Sequence, residues 1–227
     1  MSEKHVSPSQ QQSDMHEKSE EHAKQILTSD YNVSRETMGR FESYRQLLVK
    51  WTAQINLVGP STLDQFWARH VLDCAQISDI TGAETRSFAD FGSGAGLPGL
   101  IISTLLKDQG IKCHGVLIES SAKRCGFLRE AARTLDVKID IVQQKIEVVI
   151  PFAIDLVTAR AFAPLDKLLS YAHPWSELGA RVIFLKGGDV QTEIDQASTK
   201  WSFQSRINTS VTDSRGCVVE ILELKRL

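Results

Sequence analysis

Four glycines follow an acidic residue between positions 90 and 99. The stretch reads Asp90-Phe-Gly-Ser-Gly-Ala-Gly-Leu-Pro-Gly99, and it lies between a short apolar run and the apolar sequence Leu100-Ile-Ile102. Glycines at a strand-to-helix turn allow positive φ angles and let a ligand lie against the main chain. Amide groups at the start of the following helix point into the same space. The pattern therefore predicts a nucleotide-cofactor pocket at this turn.

A second carboxylate follows the turn at a spacing typical of adenosine-binding folds. Gly94, Gly96 and Gly99 formally match the dinucleotide fingerprint, and Glu119 lies about 20 residues further on, at the end of an apolar run. A carboxylate at that place can accept hydrogen bonds from the two ribose hydroxyls. Two cofactors fit this pattern, namely NAD(P) and S-adenosylmethionine (SAM).

The residues of the turn favour SAM over a dinucleotide. A dinucleotide needs amide groups facing its pyrophosphate, and Asp90 would repel that group. SAM carries an ammonium and a sulfonium, which an acidic turn tolerates. Pro98 lacks an N–H and so removes one possible phosphate donor, although proline suits the start of a helix.

The elements that must position these residues begin at residue 87, where strand and helix patterns alternate. Alternation predicts a mostly parallel sheet with helices on both faces. Residues 212–216 form a hairpin-like connection without a helix, so the last strand should run antiparallel, at the end of the sheet. The predicted strands are 87–91, 113–118, 138–143, 154–159, 180–186, 202–209 and 217–224, and the predicted helices lie near 99–108, 120–135, 164–172 and 189–199.

The preceding residues divide into a polar tail and a helical segment. Residues 1–22 are rich in Ser, Gln, Glu, Lys and His, and this composition predicts disorder. Residues 23–80 contain two helical patterns, and residues 81–227 are left for the nucleotide-binding domain. The first helix is capped by Ser34 and has apolar residues at Phe41, Tyr44, Leu48, Trp51 and Ile55; the second starts at a capping-box-like sequence, Ser61 to Asp64, and continues to Cys74.

Charge and composition limit the classes of function. The net charge is −2 over 227 residues, and residues 1–30 hold three lysines and six acidic residues, which leaves the rest nearly neutral. Any nucleic-acid surface must therefore be a local patch. No apolar run approaches the ~20 residues of a membrane span, and the four cysteines form no Cys-x-x-Cys pair. We expect a cytoplasmic protein without a disulfide framework or metal site.

Several motifs, in order, resemble the RsmG (GidB) family of bacterial 16S rRNA guanine-N7 methyltransferases. The glycine turn looks like the first motif of that family, and Arg69-His-Val-Leu-Asp73 is similar to its Arg-His-x-x-Asp-Ser signature. Cys74 and Lys145 depart from the pattern, since the family usually has Ser and Arg there. The resemblance extends over residues 40–188 and includes four further stretches, at 51–57, 119–128, 155–163 and 185–188.

The resemblance implies a Rossmann-like class I methyltransferase fold with a seven-stranded, mostly parallel sheet, an antiparallel last strand and N-terminal helices. It also implies SAM as the cofactor, with Glu119 on the ribose and Ile146 and Glu147 beside the adenine. The implied cofactor-binding residues are Gly92, Gly94, Leu97, Glu119, Ile146, Glu147 and Arg160, and the candidates for RNA contact are Arg69, His70, Lys123, Arg124 and Lys186.

The implied reaction is methyl transfer to N7 of a guanine in the 530 loop of 16S rRNA, presented by an assembling small ribosomal subunit to a monomeric enzyme. Guanine N7 has a lone pair and no proton, so no catalytic base is expected, although Arg160 could position a substrate. Residues 159–164 lack the Asn/Asp-Pro-Pro-aromatic sequence of amino-methylating enzymes. An NAD(P)-dependent oxidoreductase and a non-catalytic ribosome-binding module stay open as alternatives.

Overall fold

A single seven-stranded sheet organises the chain. The computed structural model describes residues 8–81 and 84–227, with side chains described from residue 16 onward. The strand order is β3-β2-β1-β4-β5-β7-β6, and β1 to β5 pair in parallel, which confirms the predicted class. The strands are β1 (Ser87–Phe91), β2 (His114–Ile118), β3 (Ile139–Val142), β4 (Leu156–Arg160), β5 (Arg181–Lys186), β6 (Trp201–Thr209) and β7 (Cys217–Arg226).

Helices cover both faces of this sheet, as the alternating pattern predicts. Along β5, Val182 and Phe184 pack into the apolar cluster that contains Trp175, whereas Ile183 and Leu185 belong to a cluster on the opposite face. Because parallel strands end at the same edge, the loops after β1 to β5 meet there and can build one site. The helices of this part are α4 (Gly99–Asp108), α5 (Ala122–Thr134), α6 (Leu165–Ser176) and α7 (Val190–Ala197).

The terminal hairpin differs from the prediction in its placement. Strand β7 runs antiparallel as expected, but it lies between β5 and β6, so β6 and not the last strand forms the edge of the sheet. The reason is burial. β7 begins with five consecutive buried residues, whereas β6 is exposed over most of its length. The more apolar strand therefore takes the inner position.

The helix predicted after Ser34 is present as α2 (Arg35–Ile55). The Ser34 hydroxyl accepts a hydrogen bond from the Thr37 N–H at 3.2 Å, and the apolar face buries Phe41 and Tyr44. The Tyr44 hydroxyl donates to the carbonyl oxygen of Ala95 at 2.6 Å. This bond fastens α2 to the glycine turn.

The predicted disorder of residues 1–22 is wrong for residues 8–22, which form most of helix α1 (Pro8–Ser29). Ala23 and Leu27 of this helix are buried in the core. The Glu20 carboxylate accepts hydrogen bonds from the N–H groups of Trp67 and Ala68, both at 3.0 Å. Tertiary contacts thus stabilise a helix that its polar composition does not predict. Residues 1–7 lie outside the described residues.

The second predicted helix is not one regular helix. A 3-10 turn (Pro60–Gln65) is followed by a π-helical turn (Trp67–Leu72) and by α3 (Asp73–Thr81). The expected capping box is absent, and the Thr62 hydroxyl instead donates to the Gly59 carbonyl at 2.7 Å. The apolar residues of this segment, such as Trp67, Val71 and Cys74, are buried. The sequence therefore predicts their burial but not the type of helix.

The described residues contain neither a membrane-spanning helix nor a metal-binding cluster of side chains. No helix there combines the length and the hydropathy that crossing a membrane requires. No group of three or more His, Cys, Asp or Glu side chains comes together there as a metal site would need.

Candidate functional site

The glycine turn after β1 is shaped by close contacts on two sides. Gly92 has a φ of +64°, and a side chain at this position would overlap the ring of Phe162. A side chain at Gly99 would overlap Leu117 and approach Asp90. Glycine is therefore required at both positions, because the backbone approaches neighbouring groups too closely for a Cβ atom.

The Asp90 side chain lies in the core beneath the glycine turn, where it contacts the backbone of Gly99. Its side chain is fully buried, accepts a hydrogen bond from the Thr158 hydroxyl at 3.1 Å and lies 3.4 Å from the Gly99 N–H. Burial raises the pKa of Asp90 to about 7. The prediction that Asp90 would repel a pyrophosphate directly is thus not supported, because this carboxyl group lines neither of the two cavities described below.

Glu119 lies at the end of β2, where its carboxylate binds the turn. One oxygen accepts from the Gly94 N–H at 3.0 Å, and the other accepts from the Ser121 N–H at 2.8 Å. Arg124 Nη1 is 3.8 Å from the first of these oxygens. The carboxylate is held in a fixed orientation at the carboxyl edge of the sheet and has acceptor sites left for a ligand.

A cavity of about 420 Å³ opens over this carboxylate. Glu147 lies on its wall and accepts a hydrogen bond from the Tyr171 hydroxyl at 2.7 Å, which lowers the pKa of Glu147. Ile146 supplies a buried apolar surface. The lining residues are Gly92, Ile118, Glu119, Ser120, Arg124, Gln144, Lys145, Ile146, Glu147, Ala161, Phe162, Ala163, Lys167 and Tyr171. We call this the nucleoside cavity.

The residues of the nucleoside cavity fit an adenosine group. The fixed carboxylate of Glu119 matches a ribose diol, which donates two hydrogen bonds. Ile146 and the ring of Tyr171 offer apolar surface for a purine, and Glu147 is an acceptor that suits an exocyclic amine. Gly92 lines the cavity with backbone alone, and a side chain at this position would overlap the ring of Phe162.

A second cavity, of about 330 Å³, lies beside the first, and Ala161 lines both. Ala161 has a φ of +49°, an uncommon conformation for a residue with a side chain. The other lining residues are Arg69, Asp73, Arg160, Leu185, Lys186, Gly187, Thr212, Asp213 and Gly216. We call this the basic cavity, since three cations contribute to its wall.

Arg160, predicted as a cofactor-binding residue that could also position the substrate, lines the basic cavity and not the nucleoside cavity. Its guanidinium donates to the Arg69 carbonyl at 2.7 Å and to Cys74 Sγ at 3.4 Å, and its Nε lies 3.4 Å from the Asp73 carboxylate. Cys74, one of the two departures from the family pattern, is thus a partner of Arg160. Arg160 joins β4 to the π-helical turn and α3.

His70, a candidate for RNA contact from the sequence, is buried and does not reach the surface. Its side chain is buried, with Nε2 at 3.0 Å from the Thr62 hydroxyl and Nδ1 at 3.5 Å from Arg160 Nη2. Burial lowers the pKa of His70 to about 3, and the neighbouring Arg160 and Arg69 act in the same direction. The ring is a neutral structural group.

The other candidates for RNA contact lie on different surfaces. Arg69 and Lys186 line the basic cavity, where Lys186 Nζ contacts Glu193 at 2.7 Å. Lys123 is exposed on α5, and Arg124 lines the nucleoside cavity. The predicted cofactor residues Gly94 and Leu97 line neither cavity; Gly94 acts through its bond to Glu119, and Leu97 is buried in the core.

Sequence reasoning missed several lining residues. Phe162 could have been found, because it follows the end of β4 at the edge where ligands bind in such sheets. Tyr171 lies within α6, and no motif marked it. Thr212 and Asp213 gave no signal, since their position depends on β7 inserting beside β5.

Comparison with known proteins places this site in a family. Residues 37–219 match the GidB family, described as rRNA small subunit methyltransferase G. A protein named ribosomal RNA small subunit methyltransferase G from Paramagnetospirillum magneticum is 40% identical over 202 residues, covering 89% of this chain and 96% of its own. A protein of the same name from Caulobacter vibrioides is 42% identical over 204 residues, covering 89% and 91%.

Solved structures of low sequence identity share the fold. Magnesium protoporphyrin IX methyltransferase from Synechocystis PCC 6803 with bound SAM aligns with a TM-score of 0.56 at 11% identity, covering 79% of this chain and 96% of its own. A TehB-like SAM-dependent methyltransferase from Corynebacterium glutamicum aligns with a TM-score of 0.51 at 13% identity, covering 81% and 98%. The fold is that of SAM-dependent methyltransferases, as predicted.

Proposed function

Because the chain belongs to the GidB family, rRNA small subunit methyltransferase G, we propose that it methylates N7 of a guanine in the 530 loop of 16S rRNA. Family membership makes it a SAM-dependent methyltransferase and decides against the NAD(P)-dependent oxidoreductase. The choice of guanine N7 and of this loop rests on the ordered motifs between residues 40 and 188. The observation that carries the proposal is the match over residues 37–219, which contains the whole nucleoside cavity.

The nucleoside cavity is the proposed site of the SAM adenosine group. Glu119 would accept hydrogen bonds from the ribose hydroxyls, and Ile146 and Glu147 would lie beside the adenine. The backbone of Gly92, which lines the cavity, would lie beside the cofactor at the turn, while Gly94 and Leu97 would act indirectly by shaping the turn. This differs from the sequence-based assignment, in which both were ligands.

The proposed reaction requires little acid–base catalysis by the protein. When bound, SAM supplies a methyl group on a sulfonium, and the C–S electron pair stays on sulfur as the N7 lone pair forms the new N–C bond. No general base is needed, because N7 of neutral guanine carries no proton. The chain's contribution is alignment of the two ligands in adjoining cavities that share Ala161.

The basic cavity is the proposed site of the target nucleotide. Arg69 and Lys186 line it and carry the charge that a nucleotide phosphate or a base oxygen attracts. Arg160 holds the wall through Asp73 and the Arg69 carbonyl. Lys123, which is exposed on α5, is a separate candidate for phosphate contact. His70 is no longer a candidate for RNA contact, because its side chain is buried.

We expect the substrate to be a small-subunit particle and not free rRNA. Residues 31–227 are nearly neutral, so long-range attraction to naked RNA should be weak. We further propose that the protein acts as a monomer in the cytoplasm. A non-catalytic ribosome-binding role is the competing function, and it predicts SAM binding without methyl transfer.

An assay with labelled SAM tests whether the chain transfers methyl groups and whether it requires a small-subunit particle. Small subunits and protein-free 16S rRNA are prepared from a strain lacking the gene and incubated with the purified chain. We expect stoichiometric transfer to the subunits and much slower transfer to the free rRNA. SAM binding without transfer to either substrate would support the non-catalytic alternative, and equal rates on both would contradict the need for a particle.

A further inference from the structure

Asp213 stands out in the basic cavity because its carboxylate is oriented but not saturated. One oxygen accepts a hydrogen bond from the Arg215 N–H at 2.9 Å, and this bond contributes most to lowering the pKa of Asp213. The other oxygen has Arg69 Nη2 at 3.7 Å as an ion-pair partner and accepts no hydrogen bond from the described part of the chain. The group is ionised, about a quarter exposed and able to accept from a ligand.

The neighbouring carboxylate, Asp73, has more partners and is less exposed, at 17% against 24% for Asp213. Its Oδ1 accepts from the hydroxyls of Ser210 and Thr212, both at 3.1 Å, and from Gln76 Nε2 at 3.2 Å. Its other oxygen faces Arg160 Nε at 3.4 Å. These bonds tie the β6–β7 loop to α3 and β4, so Asp73 positions the loop that carries Asp213.

Among the four RNA bases, guanine offers a carboxylate two adjacent donors, N1–H and the N2 amino group. Adenine, which also has an exposed N7, presents an acceptor at N1 and would be repelled. N7 and the N1–N2 edge lie at opposite ends of the purine. Since Asp213 lines only the basic cavity and Ala161 lines both cavities, a guanine bound at Asp213 can direct N7 toward the shared end.

We propose that Asp213 accepts hydrogen bonds from N1–H and the N2 amino group of the target guanine and thereby selects guanine. The assignment rests on the methyltransferase function proposed above. It also has a consequence for the rate. Methylation at N7 places positive charge on the purine and makes N1–H more acidic, so the bond to Asp213 strengthens toward the transition state.

The test compares guanosine with inosine at the target position. Inosine keeps N7, O6 and N1–H and lacks only the N2 amino group. Small subunits are reconstituted with 16S rRNA that carries either nucleoside, and kcat/KM for methyl transfer is measured with the wild-type chain, Asp213→Ala and Asp213→Asn. Asp195→Ala, an exposed carboxylate outside both cavities, is the matched control.

We expect the wild-type chain and the control to prefer guanosine over inosine by about 10-fold or more, as for a hydrogen bond to a charged acceptor. In Asp213→Ala the guanosine rate should fall, and the preference should shrink to about one. Because the preference is a ratio within one preparation, a partly unfolded variant does not alter it, and Asp213→Asn, with one acceptor oxygen, should be intermediate.

Three outcomes separate the role of Asp213 from the proposed function. If the wild-type chain methylates guanosine subunits but Asp213→Ala keeps the full preference for guanosine, the role of Asp213 is refuted and the proposed function stands. A wild-type preference near one would refute it equally. If the wild-type chain methylates neither substrate, the proposed function itself fails.

Discussion

At the scale of single residues, the site depends on two buried carboxyl groups, of which only Glu119 lines a cavity. Asp90 is fully buried beneath the glycine turn, and Glu119 is fixed by two backbone N–H groups at the edge of a cavity. The sequence identified both residues as important because of their spacing. It assigned Asp90 to the ligand space, since a one-dimensional pattern does not reveal which side of a turn a side chain takes.

Replacing Glu119 should weaken SAM binding more than it weakens the fold. Glu119→Ala removes the proposed ribose acceptor and the partner of the Gly94 N–H. Hydrogen bonds to a charged acceptor contribute about 1.5–3 kcal/mol, so the Kd for SAM should rise by roughly 10- to 100-fold. Calorimetric titration measures this, with Glu177→Ala, a largely exposed carboxylate that lines neither cavity, as the control. Unchanged affinity in Glu119→Ala would remove Glu119 from the binding site.

The buried acid should make stability depend on pH with a defined sign. The pKa of Asp90 is about 7 in the folded chain and 3.8 as the ordinary value, so the folded state binds more protons between these limits. Stability from Asp90 is therefore present at low pH and lost as the pH rises toward 7. Asp90→Asn should flatten this decline in urea unfolding measured between pH 5 and 7.5.

His70 changes the pH dependence of folding stability in the opposite direction. Its folded pKa of about 3 lies below the ordinary 6.5, so the folded state binds fewer protons in that range, and stability rises with pH. The clean comparison is therefore Asp90→Asn against the wild-type chain, both with His70 intact. An identical pH profile for the two chains would mean that Asp90 is not held in its protonated form.

At the scale of elements, local patterns predicted the strands and the regular helices well, and tertiary contacts decided the rest. The apolar runs of β1 to β5 and the stripe of α2 can be read directly from the sequence. Helix α1 cannot, because it depends on burial of Leu27 and on Glu20 meeting the backbone of a segment some 47 residues away. The π-helical turn and the inner position of β7 likewise depend on neighbours that are distant in the chain.

The bond between α1 and the π-helical turn predicts a stability change. Glu20→Ala leaves the N–H groups of Trp67 and Ala68 without their acceptor, which should reduce the free energy of unfolding by about 1–3 kcal/mol. Glu21→Ala is the matched control, because Glu21 is 67% exposed and its pair with Lys24 lies on the surface, so its loss should cost less than about 1 kcal/mol. Equal effects of the two substitutions in urea unfolding would show that α1 is not held by this contact.

At the scale of the whole molecule, the loops after five parallel strands bring two cavities together at Ala161. The position of the nucleoside cavity follows from the strand-ending motifs. The basic cavity does not, because its wall is completed by the π-helical turn and by the β6–β7 loop, which come from opposite ends of the chain. This arrangement suits transfer between two ligands, and the near-neutral charge suits a substrate that other molecules present.

The proposed activity is methylation of guanine N7 in the 530 loop of small-subunit rRNA. Nucleoside mapping of 16S rRNA tests it in a strain that lacks the gene and in the same strain complemented with the wild-type chain or with Glu119→Ala. We predict that N7-methylguanosine disappears from this loop without the gene, returns with the wild-type chain and returns less or not at all with the variant. An unchanged level of N7-methylguanosine in the strain without the gene would contradict this proposed activity.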